Sequence, residues 1–273
     1  MSSGTMTNQS TQGQAISIAG VDYFGLKTED GGDLYLTRFG LPFRKHLAPE
    51  NWYDSDWFEA QRTRLKGTSA IFRVPTKAVG GVSLDLVVRF SRVGEEVPLD
   101  MLTRYENIHS EFNSPFEEFS LVMQLRTAGN GPSRPRILTK RPLAIHVPAE
   151  RLQLWQTGRL ESTIAAKVAR LSEAPIDILR QYILIYGWIK GLNAVEALQA
   201  FGAIQGPPEL FLRETTLRAS HDLKRNGFRV VDIKPEHIIL RIAPDGSLVR
   251  RRNGNPAYAL IDYELLEPLE NRS

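Results

Sequence analysis

The stretch Phe228 to Leu240, F-R-V-V-D-I-K-P-E-H-I-I-L, constrains this chain more than any other. A β-branched pair, Val230 and Val231, runs into Asp232; Lys234 follows, Pro235 fixes a turn, and Ile238-Ile239-Leu240 reads as a short buried strand. Further on, Ala259-Leu260-Ile261-Asp262-Tyr263 is a second apolar run ending in an acid. A lone acid at a strand end is commonplace, but Asp262 paired with Asp232, 30 residues earlier, through two apolar strands is a more specific signal.

The chain has 273 residues, enough for one large domain or two lobes with a core between them. Hydrophobic residues make up 42% and charged residues 24%, an ordinary globular composition. The net charge of +3, from 34 basic and 31 acidic side chains, is too balanced to argue for nucleic acid. With no cysteine, disulfides, thiolate metal sites and cysteine nucleophiles are excluded. The longest apolar run, Tyr182 to Ile189, has eight residues, against about 20 for a membrane helix. No transmembrane segment is expected, and a cytoplasmic location is.

Residues 1–15 are small and polar and read as a flexible tail. Residues 16–59 hold two alternating runs, Val21 to Leu26 and Asp33 to Thr37, around Glu29-Asp30-Gly31-Gly32, which predicts a hairpin. In the same segment Asp54 or Ser55 caps a short helix near Trp57. The aromatics Trp52, Tyr53 and Trp57 are expected to pack this extension onto the domain.

Leu65 to Phe90 reads as three strands. Pro115 to Arg126 reads as a helix, capped by Asn113 or Ser114 and apolar at Phe116, Phe119, Val122 and Met123. Arg136 to Leu138 and Leu143 to Val147 add strands. Three helical stripes are expected afterwards: Leu160, Ile164, Val168 and Leu171; Ile176, Leu179, Tyr182, Ile183, Tyr186 and Ile189; and a helix from Pro207-Pro208 to Asn226-Gly227.

The loop from Asp232 to His237 and the acid at Asp262 together resemble the protein-kinase-like superfamily. The D-x-x-x-x-H spacing is similar to that of bacterial lipopolysaccharide kinases acting on Kdo or heptose. The resemblance covers about residues 60–267. It implies a bilobal α+β fold, with an antiparallel N-lobe over residues 60–150 and a shortened helical C-lobe over 151–273.

It also implies roles. Asp232 would be the base and Lys234 would meet the moving phosphate; Asp262 and His237 would hold metal. Arg89, in Leu86-Val87-Val88-Arg89, stands where the family keeps its phosphate-gripping lysine, and Glu118 stands as its helix partner. An arginine there either grips phosphate bidentately or fills the pocket, unless it is a surface residue on an edge strand. Gly67 and Ser69 mark a much reduced glycine loop, in which only Gly67 and Val74 of the pattern remain.

Two further departures matter. Tyr263-Glu264 replaces Phe-Gly after the metal-binding acid, adding a negative charge there. Only 11 residues of this sequence follow Asp262, and a peptide-docking segment is not expected among them.

The implied activity is ATP-dependent phosphoryl transfer, with magnesium or manganese, to a hydroxyl on a small molecule or sugar. The alternative is a pseudokinase that senses nucleotide or binds a protein partner without turnover.

Overall fold

The computed structural model describes residues 13–67, 69–98, 110–129, 135–170, 176–201, 207–251 and 254–269. Most of the expected tail, and Leu171 of the first helical stripe, lie outside them. In chain order the strands are β1 (Gln14–Ile18), β2 (Val21–Lys27), β3 (Asp33–Thr37), β4 (Thr63–Arg64), β5 (Ile71–Pro75), β6 (Asp85–Phe90), β7 (Leu138–Thr139) and β8 (Pro142–Val147). They continue as β9 (Ile183–Gly187), β10 (Leu192–Asn193), β11 (Phe228–Val230), β12 (Ile238–Leu240), β13 (Tyr258–Leu260) and β14 (Leu266–Pro268). The helices of seven residues or more are α1 (Ser55–Gln61), α2 (Pro115–Ala128), α3 (Glu161–Arg170), α4 (Ala194–Phe201) and α5 (Pro208–Arg225).

Among the described residues, eight strands form one antiparallel sheet in the order β1-β2-β3-β8-β9-β6-β5-β4. A second sheet runs β10-β12-β13-β7, its β13–β7 pair parallel, and β11 pairs with β14. The predicted hairpin is β2 and β3, closed by a turn with Gly31 at φ +80°. Asp54 caps α1 by accepting from the Trp57 amide at 3.1 Å. Ser114 and Glu117 form a reciprocal capping box on α2, with Pro115 in its first turn.

One expectation is overturned. The run from Tyr182 to Gly187, read as part of a helical stripe, is β9, at the centre of the large sheet. Ile183 and Ile185 pack with Leu36, Leu86 and Trp52, while Leu184 and Tyr186 pack with Phe116, Phe119 and Val122 on the other face. A strand covered on both faces loses its polar alternation and reads as a continuous apolar run, which also suits a buried helix. The expected lobe boundary at 150/151 therefore falls between β8 and β9, which are sheet neighbours. The chain leaves the large sheet only after Gly187.

The N-terminal segment continues that sheet through β3–β8, and strand structure begins at Gln14, inside the stretch read as a tail. Gly40 lets it close down on β8: a Cβ there would stand 2.0 Å from the Leu143 carbonyl oxygen. Trp52 is fully buried and donates from its indole to the Leu47 carbonyl at 2.9 Å. Its aromatics pack it onto the sheet, as expected.

His146 on β8 lies edge-on to Trp52 and Tyr53, with ring centroids 5.9 and 5.6 Å away. Its Nδ1 faces the Asp33 carbonyl at 3.2 Å, and its Nε2 is buried without a partner. Burial holds the imidazole down to about 4, because protonation would bury a second N–H with no acceptor. The unfolded chain takes up a proton that the folded one refuses, so stability falls as pH drops from about 6.5 to about 4, by up to about 3 kcal/mol. Urea midpoints measured across that range should show a steeper acid loss in the wild type than in His146→Gln.

Candidate active site

The site is assembled where β6, α2 and the segment after β13 converge. Arg89 points from β6, a central strand, and is 6% exposed, which removes the edge-strand surface reading. One guanidinium nitrogen pairs with Glu118 of α2 and the other with Glu264. Glu118 is also buried, and its second oxygen accepts the Tyr186 hydroxyl. Burial disfavours the charged guanidinium, yet the Glu118 and Glu264 carboxylates outweigh it and raise the proton affinity of Arg89.

Glu264 is the centre of this network. Its carboxylate also receives the Ser69 hydroxyl, which lies 2.7 and 2.9 Å from the two oxygens. Thus the residues expected to contact phosphate, Ser69 and Arg89, are both held by the protein's own carboxylate. Sequence reasoning noted the added charge at Glu264 but assigned it no contact. Gly67, at φ +149°, takes the turn before Ser69 and adds no side chain to the cluster.

The segment around Glu264 is tightly fixed. The Asn113 amide donates to the Glu264 carbonyl, and its side chain donates to the carbonyls of Tyr263 and Leu266 at 3.0 and 2.8 Å. Tyr263 donates its hydroxyl to the Leu260 carbonyl and accepts the Lys140 amide at 2.9 Å. The start of α2 and the turn after β7 therefore hold the acids in place.

Asp262 lies 3.4 Å from His237 Nε2, and its other oxygen accepts the Glu264 amide at 3.2 Å. Burial works against its charge, but His237, Arg89, the Glu264 amide and Lys140 together keep Asp262 below the usual carboxylate range. His237 sits in a single turn, Pro235–His237, and its Nδ1 is buried with no hydrogen-bond partner among the described residues. Asp232 and Lys234 pair with each other at 2.5 Å on the exposed loop after β11. No hydrogen bond or ion pair joins them to the Arg89 network among the described residues.

Lys140 was not singled out from the sequence, where a T-K-R-P turn gives no signal. Its side chain is buried, with Nζ 4.6 Å from the Tyr186 ring centroid and 5.5 Å from that of Tyr263. Burial, then the nearby Arg89, push its amine down to about 8, against the pull of Glu118, Asp262 and Glu264.

Arg89 on β6 meets a helix carboxylate, and two acid-bearing loops follow strands β11 and β13. The fold is α+β, a large antiparallel sheet and a smaller second sheet with helices packed on them. No protein-family model matches the sequence, and no curated protein matches it. Solved structures that match include the BubR1 kinase domain, at 8% identity and TM-score 0.41, covering 90% of this chain and 50% of that one. WaaP in complex with acyl carrier protein matches at 12% identity and TM-score 0.39, over 86% of this chain and 72% of that one. WbdD with a kinase inhibitor matches at 13% and TM-score 0.29, over 77% and 34%. The chain thus spans half the length of the BubR1 domain. No helix among the described residues is long and apolar enough to cross a membrane.

Removing a partner from a buried ion network leaves uncompensated charge, whereas an exposed pair contributes little. Arg89→Ala should therefore cost about 3–5 kcal/mol in urea unfolding, and Lys234→Ala less than about 1 kcal/mol. Equal losses would contradict this partition.

Proposed function

We propose that this chain is an atypical kinase-like phosphotransferase that moves a phosphoryl group from ATP to a hydroxyl acceptor, a small molecule or sugar. The observation that carries the reading is the meeting of the Arg89–Glu118 pair with Asp262 and His237, residues drawn from three distant parts of the sequence. Phosphoryl transfer needs little covalent help from the protein; it needs positioning and charge compensation.

In this reading Asp232 orients the acceptor hydroxyl and takes its proton late. Lys234, already beside Asp232, neutralises charge on the transferred group. Arg89 and Ser69 bind the remaining phosphates once Glu264 releases them.

The donor set suits a divalent ion in part. Among the described residues no cluster of three or more His, Cys, Asp or Glu side chains has metal-binding spacing. Asp262 supplies a hard oxygen, and the unpartnered Nδ1 of His237 shows a ring not fully committed within the protein. A magnesium ion is ordinarily bound by one or two carboxylates plus phosphate oxygens and water, which Asp262 with a nucleotide satisfies; His237 favours manganese. Bound there, the ion would offset the negative charge of the phosphates.

A second reading follows from Glu264. A carboxylate that already occupies Arg89 and Ser69 makes the cleft self-satisfied, as in a module that responds to a ligand or partner without turnover. The two readings separate in one experiment. Thermal shifts with ATP and magnesium or manganese are measured on the wild type, Asp262→Ala and Glu264→Ala. Glu264→Ala should need several-fold less ATP for the same shift, and Asp262→Ala should lose the metal-dependent part. ATP at ~100 times its Kd stabilises a fold by about 2.7 kcal/mol, a shift of several degrees. Transfer products that vanish in Asp232→Ala support the enzyme; a nucleotide shift with no Asp232-dependent product supports the non-catalytic module. No shift in any of the three proteins removes both nucleotide readings.

A further inference from the structure

Four arginines gather where the end of α2 meets the turn between β7 and β8 and the residues after β3. Arg126, in the last turn of α2, donates to the Thr139 carbonyl at 3.1 Å and its hydroxyl at 2.7 Å. Its guanidinium lies 4.9 Å from the Phe39 ring centroid, and that of Arg38 lies 5.0 Å from the same ring. Arg141 follows Thr139 by two residues, and the Arg136 backbone packs on the end of α2, its Cα 3.1 Å from where a Cβ on Gly129 would stand. Arg38, Arg136 and Arg141 are exposed, and Arg126 is half-buried.

None of the four forms an ion pair with a carboxylate among the described residues. The contrast within the molecule is sharp. Arg73 pairs with Asp85, Arg151 with Asp177, Arg180 with Asp33 and Arg229 with Glu267. Burial, then the positive charges of Arg141, Arg136 and Arg38, lower the proton affinity of Arg126, so the four share one field. Beside them Arg136 and Arg251 line a cavity of about 240 Å³ together with Leu138 and Ala257. That volume holds several waters or one phosphate group with part of its carrier.

Arg126, held on the Phe39 ring and the Thr139 carbonyl, and Arg38, on the same ring, cost little ordering when an oxyanion arrives, and guanidinium forks match phosphate geometry bidentately. We propose that Arg38, Arg126, Arg136 and Arg141 form a binding site for a phosphate-bearing ligand, with Arg136 holding one phosphate at the mouth of the cavity. The N-terminal segment supplies Arg38 and Phe39, so this site exists only because β3 joins the sheet. Its chemistry fits a soluble polyphosphorylated molecule or the headgroups of an anionic lipid. Among the described residues no hydrogen bond or ion pair joins it to Arg89, Glu118 or Glu264, and it does not depend on the phosphotransferase reading.

The test uses the full chain with two probes: inorganic pyrophosphate by calorimetry, and co-sedimentation with vesicles of phosphatidylglycerol and phosphatidylcholine in equal parts, against phosphatidylcholine alone. Three variants are compared: the double change Arg136→Gln/Arg141→Gln, Arg73→Gln as an arginine-to-glutamine control at a guanidinium already paired with Asp85, and Ser69→Ala in the candidate active site. Binding to either probe should weaken at least tenfold in the double variant and be unchanged in Arg73→Gln and Ser69→Ala. Added salt should weaken it further. Saturable pyrophosphate binding without vesicle binding assigns the soluble source. Binding to the phosphatidylglycerol vesicles that pyrophosphate displaces assigns the headgroup. Equal weakening in Arg73→Gln, loss in Ser69→Ala with retention in the double variant, or no binding to either probe overturns the site.

Discussion

The rest of the structure depends on keeping a guanidinium charged inside the protein. An isolated ion in that environment is costly, and Arg89 is tolerable only because two carboxylates from separate elements reach it. That requirement fixes relative positions: β6 carries the cation, α2 must present Glu118 in its first turn, and the segment after β13 must bring Glu264 back. Tyr186 on β9 satisfies the remaining oxygen of Glu118, so the sheet, the helix and the C-terminal segment share one electrostatic centre. An ion network of this kind specifies arrangement more than it adds net stability.

Two further links hold the acid-bearing segment against the sheet. β7 pairs in parallel with β13, so a strand that arrives just before β8 enters the smaller sheet that carries Asp262. Asn113 closes the other side by bonding the carbonyls of Tyr263, Glu264 and Leu266 through its amide and side chain. Tyr263 joins both links, since its hydroxyl meets the Lys140 backbone while its ring lies beside Tyr186. The added hydroxyl of tyrosine over phenylalanine thus has a structural use that its shape alone does not suggest. Glu264, which stands where the kinase family keeps a glycine, has an ordinary negative φ; its place is held by charge and not by a special backbone conformation.

The elements legible in the sequence were those with local causes. Capping residues and Pro115 placed the start of α2, Asn226-Gly227 ended α5, and alternation with a glycine turn gave the β2–β3 hairpin. β9 was misread because burial on both faces erases the period that separates strand from helix. β10 and α4 went unassigned, although Asn193 and Glu196 carry a capping-box spacing that the structure realises with reciprocal bonds of 2.9 and 3.1 Å. At the site, the loop pattern drew attention to Asp232, Asp262, Arg89 and Glu118, while Lys140 carried no mark at all. A buried lysine is recognisable only by what surrounds it.

By itself the sequence determined which chemical groups stand at strand ends and in the first turn of α2, because those depend on neighbours a few residues away. It also left Arg89 three possible fates, to grip a ligand, to fill the pocket or to lie on the surface of an edge strand. Only the tertiary structure removed the surface reading and showed what the guanidinium meets: Glu264 lies 175 residues further along the chain, and only folding brings its carboxylate there. The same holds for the arginine cluster, whose members span residues 38 to 141 and acquire a common field only when β3 pairs with β8. Charge–charge energy depends on distance in space, and that is the quantity a linear sequence does not contain.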